Sequence, residues 1–215
     1  MWCMMNTMEK KTKKTRTIQI VIASSNVHKV REIRAILHPL AFLDILSLRD
    51  FPQYIPPEET GSTFLENAEI KAISAAKTLN QWVIAEDSGL IVPALNGEPG
   101  IYSARYAGND ATDADNRKKL LENMLPLLDQ DRYAYFESCI VLASPEAVKK
   151  SVCATCEGEL LTKERGGGGF GYDPLFVKHD YNKTFAELEE SIKNRISHRG
   201  KALDKLVLTI ESLSI

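Results

Sequence analysis

Two hydrophobic periods alternate along this chain, and that alternation restricts its fold more than any other feature. Ile18–Ala23 (IQIVIA) is a short apolar run rich in β-branched residues, of the kind that forms a buried strand. Ser24-Ser25-Asn26 breaks it, and Val27–Leu37 then places Val30, Ile33, Ile36 and Leu37 at helical spacing before Pro39 stops the helix. The pattern recurs. Asp44–Leu48 reads as a second strand, and Phe51–Gly61, with three prolines, as a loop. Phe64–Leu79 reads as a helix that Thr63 and Glu66 start with a capping box. Trp82–Ala85 reads as a buried strand ending in Glu86-Asp87-Ser88-Gly89.

Gly97–Gly108 is irregular, and Thr112–Leu125 is a helix. Tyr133–Ala143 and Val148–Leu160 alternate in strand fashion about Ser144-Pro145-Glu146, which predicts a hairpin. Leu175–Val177 is a short strand, and Thr184–Ile196 and Lys201–Leu213 are helical patterns joined at Ser197-His198-Arg199-Gly200. Mixed strands and helices with an antiparallel middle predict an α/β fold with two lobes. A chain of 215 residues accommodates this as a single two-lobed domain over residues 17–215. Residues 1–16, polar and lysine-rich, read as a flexible extension, with Met8 as an alternative start.

Composition acts by exclusion. A hydrophobic content of 44% and a charged content of 26% suit an ordinary globular protein. A net charge of -2 gives no basic field for nucleic acid or an anionic membrane. No run approaches the roughly 18 apolar residues of a membrane helix, and the start has no signal-peptide core. A cytoplasmic location is expected. The four cysteines are too few and scattered for a disulfide scaffold. Cys153 and Cys156 form a C-x-x-C, but on a strand they face opposite sides and cannot share a metal. The cysteines are expected to be structural or inert.

Four segments carry possible chemistry. Ser24-Ser25-Asn26-Val27-His28-Lys29 joins a buried strand to a helix, so free N–H groups, the positive helix end and a lysine converge where a polyphosphate would bind. A plain helix cap would use the same residues. Glu86-Asp87-Ser88-Gly89 would put two acids at the carboxyl edge of a sheet, as Mg2+ and a water-activating base require, although a β-turn reads the same way. Gly166–Asp173 (GGGGFGYD) allows close backbone approach, and Phe170 or Tyr172 could stack on a nucleobase; a flexible spacer is the alternative. Ser197–Gly200 with Lys193 upstream supplies donors for a carbonyl, or a cation-rich helix end.

Taken in order, SSNVHKVREI, EETGSTFLENAEIKA, AEDSGLIVPALNGEPGIYSARYAG, GGGGFGYDPLF and ISHRGKAL resemble the inosine triphosphate pyrophosphatases, the Ham1-like family. These stretches cover most of residues 18–205, and together they are far more specific than any one alone. The resemblance implies an elongated, two-lobed mixed β-sheet flanked by helices, with the active cleft between the lobes. It also implies a Mg2+-dependent homodimer that converts noncanonical purine nucleoside triphosphates (ITP, dITP, XTP) to the monophosphate and pyrophosphate. By the same resemblance Asp87 is the general base, and Asp87, Glu86 and Glu59 hold magnesium. Ser24, Ser25, Asn26, Val27, His28 and Lys29 form the triphosphate loop, and Ser88 touches the substrate near the phosphates. Phe170, Gly171, Tyr172 and Asp173 clamp base and ribose, and Lys193, His198 and Arg199 complete the contacts.

This chain departs from the common family pattern at Ser25, where glycine is usual, at His28, where glycine or lysine is frequent, and at Glu86, where many relatives have aspartate. Two other functions fit similar residues. One is a pyrophosphatase for modified pyrimidines or methylated nucleotides. The other is a nucleotide-binding regulator without turnover.

Overall fold

A computed structural model describes residues 17–127 and 131–213. The predicted extension at residues 1–16 lies outside the described residues. One six-stranded sheet runs through the molecule in the order β2-β1-β3-β4-β5-β6. Its strands are β1 (Ile18–Ile22), β2 (Leu43–Ser47), β3 (Trp82–Ile91), β4 (Tyr133–Ala143), β5 (Val148–Leu160) and β6 (Phe176–Lys178). The helices are α1 (Val27–Leu37), α2 (Phe64–Leu79), α3 (Asp113–Met124), α4 (Glu190–Ile196) and α5 (His198–Ser212). β2, β1 and β3 are parallel, and β3 to β6 continue antiparallel. The parallel half is connected through α1 and α2, as parallel pairing demands.

β1 is apolar throughout its centre because both its faces are covered. Ile20 and Ile22 pack with Ile84, Ile140, Leu203 and Leu206 beneath α1 and α5. Val21 packs on the other face with Val83, Val141 and the alanines 68, 72, 75 and 76 of α2. Small side chains let α2 lie close to the sheet. A third cluster fills the far ends of β3 to β5, where Leu90, Leu120, Met124, Phe136, Tyr172, Phe176 and Phe185 meet. The first two clusters make one lobe and the third makes the other, in agreement with the predicted two-lobed mixed sheet.

Several local expectations are corrected. β3 does not stop at Ala85. β4 pairs with it as far as Ile91↔Tyr135, and this ladder overrides the turn tendency of Asp87-Ser88-Gly89. A Cβ on Gly89 would collide with Ser103 Oγ and the Gly100 carbonyl, so glycine there serves close packing and not a turn. The Thr184–Ile196 helix shrinks to α4, because Phe185 and Ala186 lie in a turn and donate to the carbonyls of Phe176 and Asp173. His198, Arg199 and Gly200 are the first turn of α5 and not an interhelical loop. Ser197 ends α4 and caps α5, accepting from Gly200 N at 3.2 Å. Thr63 caps α2 as expected, but the Glu66 carboxylate reaches back to Ser62 N and Oγ at 2.7 and 2.8 Å. Cys139 and Cys153, directly opposed on β4 and β5, form a disulfide, while Cys156 is free and buried. The partner that matters to Cys153 is across the strands, not three residues along the chain.

Candidate active site

β1 last pairs with β3 at Ile22↔Ile84, and β3 runs on past it. Glu86 and Asp87 therefore project just beyond the carboxyl end of β1, where the chain turns into Ser24–Asn26. A cavity of about 480 Å³ opens there between the two lobes. Its walls contain every residue to which the family resemblance gives a role except Val27 and His28.

Strand alternation sends the two acids to opposite faces. Asp87 turns to α2, where Lys71 Nζ stands 3.1 Å from Oδ1 and Asn67 Nδ2 3.4 Å from Oδ2. The same ammonium lies 3.0 Å from Glu59 Oε1. Asp87 and Glu59, distant in sequence, thus converge on one cation in the cavity wall. Two hard carboxylates meeting at a point that already holds a positive charge fit Mg2+.

Glu86 turns the other way and is 1% exposed. Arg199 Nε stands 2.9–3.0 Å from its oxygens, and Ser138 Oγ donates to it at 2.7 Å. Burial alone would raise its pKa, but Arg199, Lys29 and Ser138 outweigh that and hold the carboxyl well below its usual range. The two adjacent acids therefore do not face a common point: Glu86 projects from the opposite face and pairs with an arginine.

Lys29 and Glu32 come from α1: Glu32 pairs with that arginine, and Lys29 approaches Glu86. Burial lowers the Lys29 pKa, against the raising effect of Glu86, whose carboxylate lies 3.9 Å from Nζ. Glu32 accepts from Lys193 Nζ at 2.7 Å and from Arg199, and Lys193 also pairs with Asp173. Burial raises the Asp173 pKa, while for Arg199 the charges of Glu86 and Glu32 overcome burial and raise it. A single buried ion network therefore ties the phosphate loop to the glycine-rich loop. Removing one member of such a network leaves an uncompensated buried charge.

The helix end is less open than predicted. Asn26 Oδ1 accepts from His28 N at 2.9 Å and Lys29 N at 3.2 Å, which satisfies two of the donors expected for phosphate. Ser25 N and Val27 N make no hydrogen bond among the described residues. The His28 ring points across to the other lobe and stacks on Phe170, with centroids 5.2 Å apart at 12°. Lys193 Nζ and Arg199 Cζ also approach that ring, at 5.0 and 5.6 Å.

Of the two candidate stacking rings, Phe170 is half-buried and carries His28 on its ring. Tyr172 is 3% exposed and donates its hydroxyl to the Ser103 carbonyl at 2.9 Å, which fixes it in the core. Gly171, at φ +59, is held from α3: its N–H donates to Asp113 Oδ2 at 2.6 Å, and Arg117 donates to its carbonyl at 2.8 Å. His198 stacks on Phe136 at 4.8 Å, and its Nδ1 is buried with no hydrogen-bond partner among the described residues. Burial, helped by Arg199, pushes its pKa well below 6.5, so the ring is uncharged at neutral pH.

Sequence reasoning missed Asn67, Lys71, Glu32 and Asp113. Their signal was faint but present: Asn67 and Lys71 stand four apart on a helix whose buried face is otherwise mostly alanine and phenylalanine, and Glu32 follows Lys29 by three.

Residues 20–209 match the family model described as the Ham1 family. The dITP/XTP pyrophosphatase of Protochlamydia amoebophila is 54% identical over 197 residues, covering 91% of this chain and 99% of that protein. The dITP/XTP pyrophosphatase of Chlamydia muridarum is 55% identical, covering 90% and 93%. Among solved structures, a HAM1 protein from Coxiella burnetii superposes with a TM-score of 0.81 at 41% identity, covering 91% of this chain and 100% of that one. The Staphylococcus aureus Ham1 protein gives 0.79 at 42% identity, covering 90% and 98%. With a cleft at the carboxyl end of β1 and a family model that spans nearly the whole described chain, this protein belongs to the Ham1 family.

Proposed function

We propose that this chain hydrolyses noncanonical purine nucleoside triphosphates, the dITP and XTP named for its relatives together with ITP, to the monophosphate and pyrophosphate. The observation that carries the reading is the buried, uncharged His198, its Nδ1 unpartnered among the described residues, in the wall of the cavity that also contains Lys29, Asp87 and Glu59. A neutral imidazole carries one N–H. Placed on Nδ1, it donates to the C6 oxygen of hypoxanthine or xanthine and meets a donor on adenine. A buried group that only the right base can satisfy discriminates strongly.

Lys29 and the free N–H groups of Ser25 and Val27 neutralise and position the phosphates. Asp87 accepts the proton of the water that attacks the α-phosphorus, and Asn67 and Lys71 orient its carboxylate. Asp87 and Glu59 would hold Mg2+, which when bound polarises the phosphates. Phe170 offers the stacking face for the base. Lys193 and Arg199, saturated by carboxylates, act by fixing Asp173, Glu86 and Ser88 in place. Arg199 Nη2 stands 3.3 Å from Ser88 Oγ. The same reading expects a homodimer in the cytoplasm, clearing such nucleotides before polymerases use them. Among the described residues no helix is long and apolar enough to cross a membrane.

The test is pyrophosphate release from ITP, XTP, dITP, GTP, ATP and dTTP, with Mg2+ and with EDTA. Metal-dependent turnover of the first three, with little of the others, is expected. Preference for a pyrimidine, or nucleotide binding without any turnover, would move one of the two rival readings to the front.

A further inference from the structure

Outside the cleft, Glu137, Cys139 and Cys153 place three metal-ligating atoms within 4.8 Å of one another. Register explains why. Cys139 is directly opposite Cys153 and also directly opposite Asp87, so all three project from the α2 face of the sheet. Glu137, two residues before Cys139, returns to that face. Its Oε1 lies 3.7 Å from Cys139 Sγ. None of the three residues lines the cleft. They line a second, more open cavity of about 630 Å³, together with Thr63, Phe64 and Tyr102.

We propose that these residues form a redox-gated site for a thiophilic, borderline-soft divalent cation such as zinc. In the disulfide state both sulfurs are bonded to each other and the site is closed. A dithiol reductant opens it: two electrons and two protons pass to the sulfurs, giving two thiols, while the reductant becomes its own disulfide. The cation then displaces both thiol protons and binds two thiolates and one carboxylate. Tetrahedral ligands at about 2.0–2.3 Å from zinc stand roughly 3.5–3.8 Å apart. Cys139 and Glu137 already meet that spacing, and opposed β-strand cysteines need only side-chain rotation to do so. The fourth position faces the second cavity and takes water. The remaining cysteine of the hairpin, Cys156, is an odd number of residues from Cys153 on the same strand and is buried on the opposite face, so it contributes nothing.

The experiment uses the full chain, reduced with excess dithiol, freed of reductant without air and titrated with Co2+. One equivalent should develop the thiolate-to-cobalt charge-transfer band and the intense visible bands of tetrahedral cobalt, and zinc should displace it. Cys139→Ser combined with Cys153→Ser should abolish the charge-transfer band, Glu137→Gln should weaken binding roughly tenfold or more, and Cys156→Ser should leave both unchanged. The untreated disulfide form should give no band. Absence of a band in protein whose thiol titration proves the pair open would overturn the site, as would a band that survives replacement of both Cys139 and Cys153 by serine. Because the readout is spectroscopic and silent about nucleotide turnover, its failure is separate from failure of the proposed activity.

Discussion

The family resemblance gives Glu86 and Glu59 the same magnesium-holding role, whereas the structure sends them to different partners, and paired substitutions separate the two. Glu86→Gln keeps the side-chain shape and the Ser138 hydrogen bond but removes the charge beside Arg199, itself 1% exposed. Breaking a buried ion pair from one side costs about 3–5 kcal/mol. Arg199 retains Glu32, so the lower end applies, near 3 kcal/mol. For a chain of this size each kcal/mol moves Tm by about 2–4 °C, giving a fall of about 6–12 °C. The Mg2+ concentration for half-maximal pyrophosphate release should change little. Glu59→Gln should do the reverse. Its side chain is 31% exposed and its pairing with Lys71 contributes about 1 kcal/mol or less, but the Mg2+ requirement should rise at least about tenfold.

The pH dependence adds a second check. The Glu86 carboxyl is held low in the folded state, so its contribution is complete above about pH 4.5 and is lost as pH falls below that toward the folded value. Acid destabilisation should therefore be shallower in Glu86→Gln than in the parent. Thermal unfolding and Mg2+ titration of both variants decide the matter. A Glu86→Gln protein with unchanged Tm and a tenfold higher Mg2+ requirement would refute the assignment.

Three further outcomes are expected. Asp87→Asn should lower kcat by more than the roughly 10²–10⁴ expected of a base alone, because it also weakens the metal site; retention of a tenth of parental turnover would sink it as the base. His198→Ala should lower the ITP-to-ATP ratio of kcat/KM by about tenfold or more, and an unchanged ratio would remove His198 from base reading. Its folded pKa is depressed, so its contribution to stability is present above about pH 6.5 and declines below it. His28→Ala should raise KM for ITP by about 2–10-fold through a looser Phe170, the usual worth of an aromatic pair, with kcat retained and with rescue by His28→Phe. Equal effects of His28→Ala in a Phe170→Ala background would show that the stacking is not the route.

Much of the fold was legible because hydrophobic period is a local signal. β1, α1, α2 and the β4–β5 hairpin lie within a residue or two of their predicted bounds. The errors fall where another segment supplied the hydrogen bonds. β4 extended β3 through a turn-like sequence, and β6 with the glycine-rich loop held Phe185 and Ala186 out of a helix. Motif order along the chain was enough to identify the family and gather most of the cavity wall. Spacing did not reveal that Glu86 and Asp87 diverge, since the adjacent acids were read as the end of a strand and not its middle. Nor did it reveal that Cys139 is the neighbour of Cys153, a pairing across 14 residues that exists only once β4 and β5 are in register.

The sequence by itself determined which residue types reach the cleft: phosphate donors, carboxylates, a stacking ring and a histidine. Tertiary structure decided which of them are free to act. Arg199 and Lys193 are spent on Glu86, Glu32 and Asp173, Tyr172 is anchored in the core, and Asn26 caps its own helix. The physical reason is that a charge or polar atom taken out of water must find a partner, and partners drawn from β3, α1, α2 and α5 meet only when those elements pack.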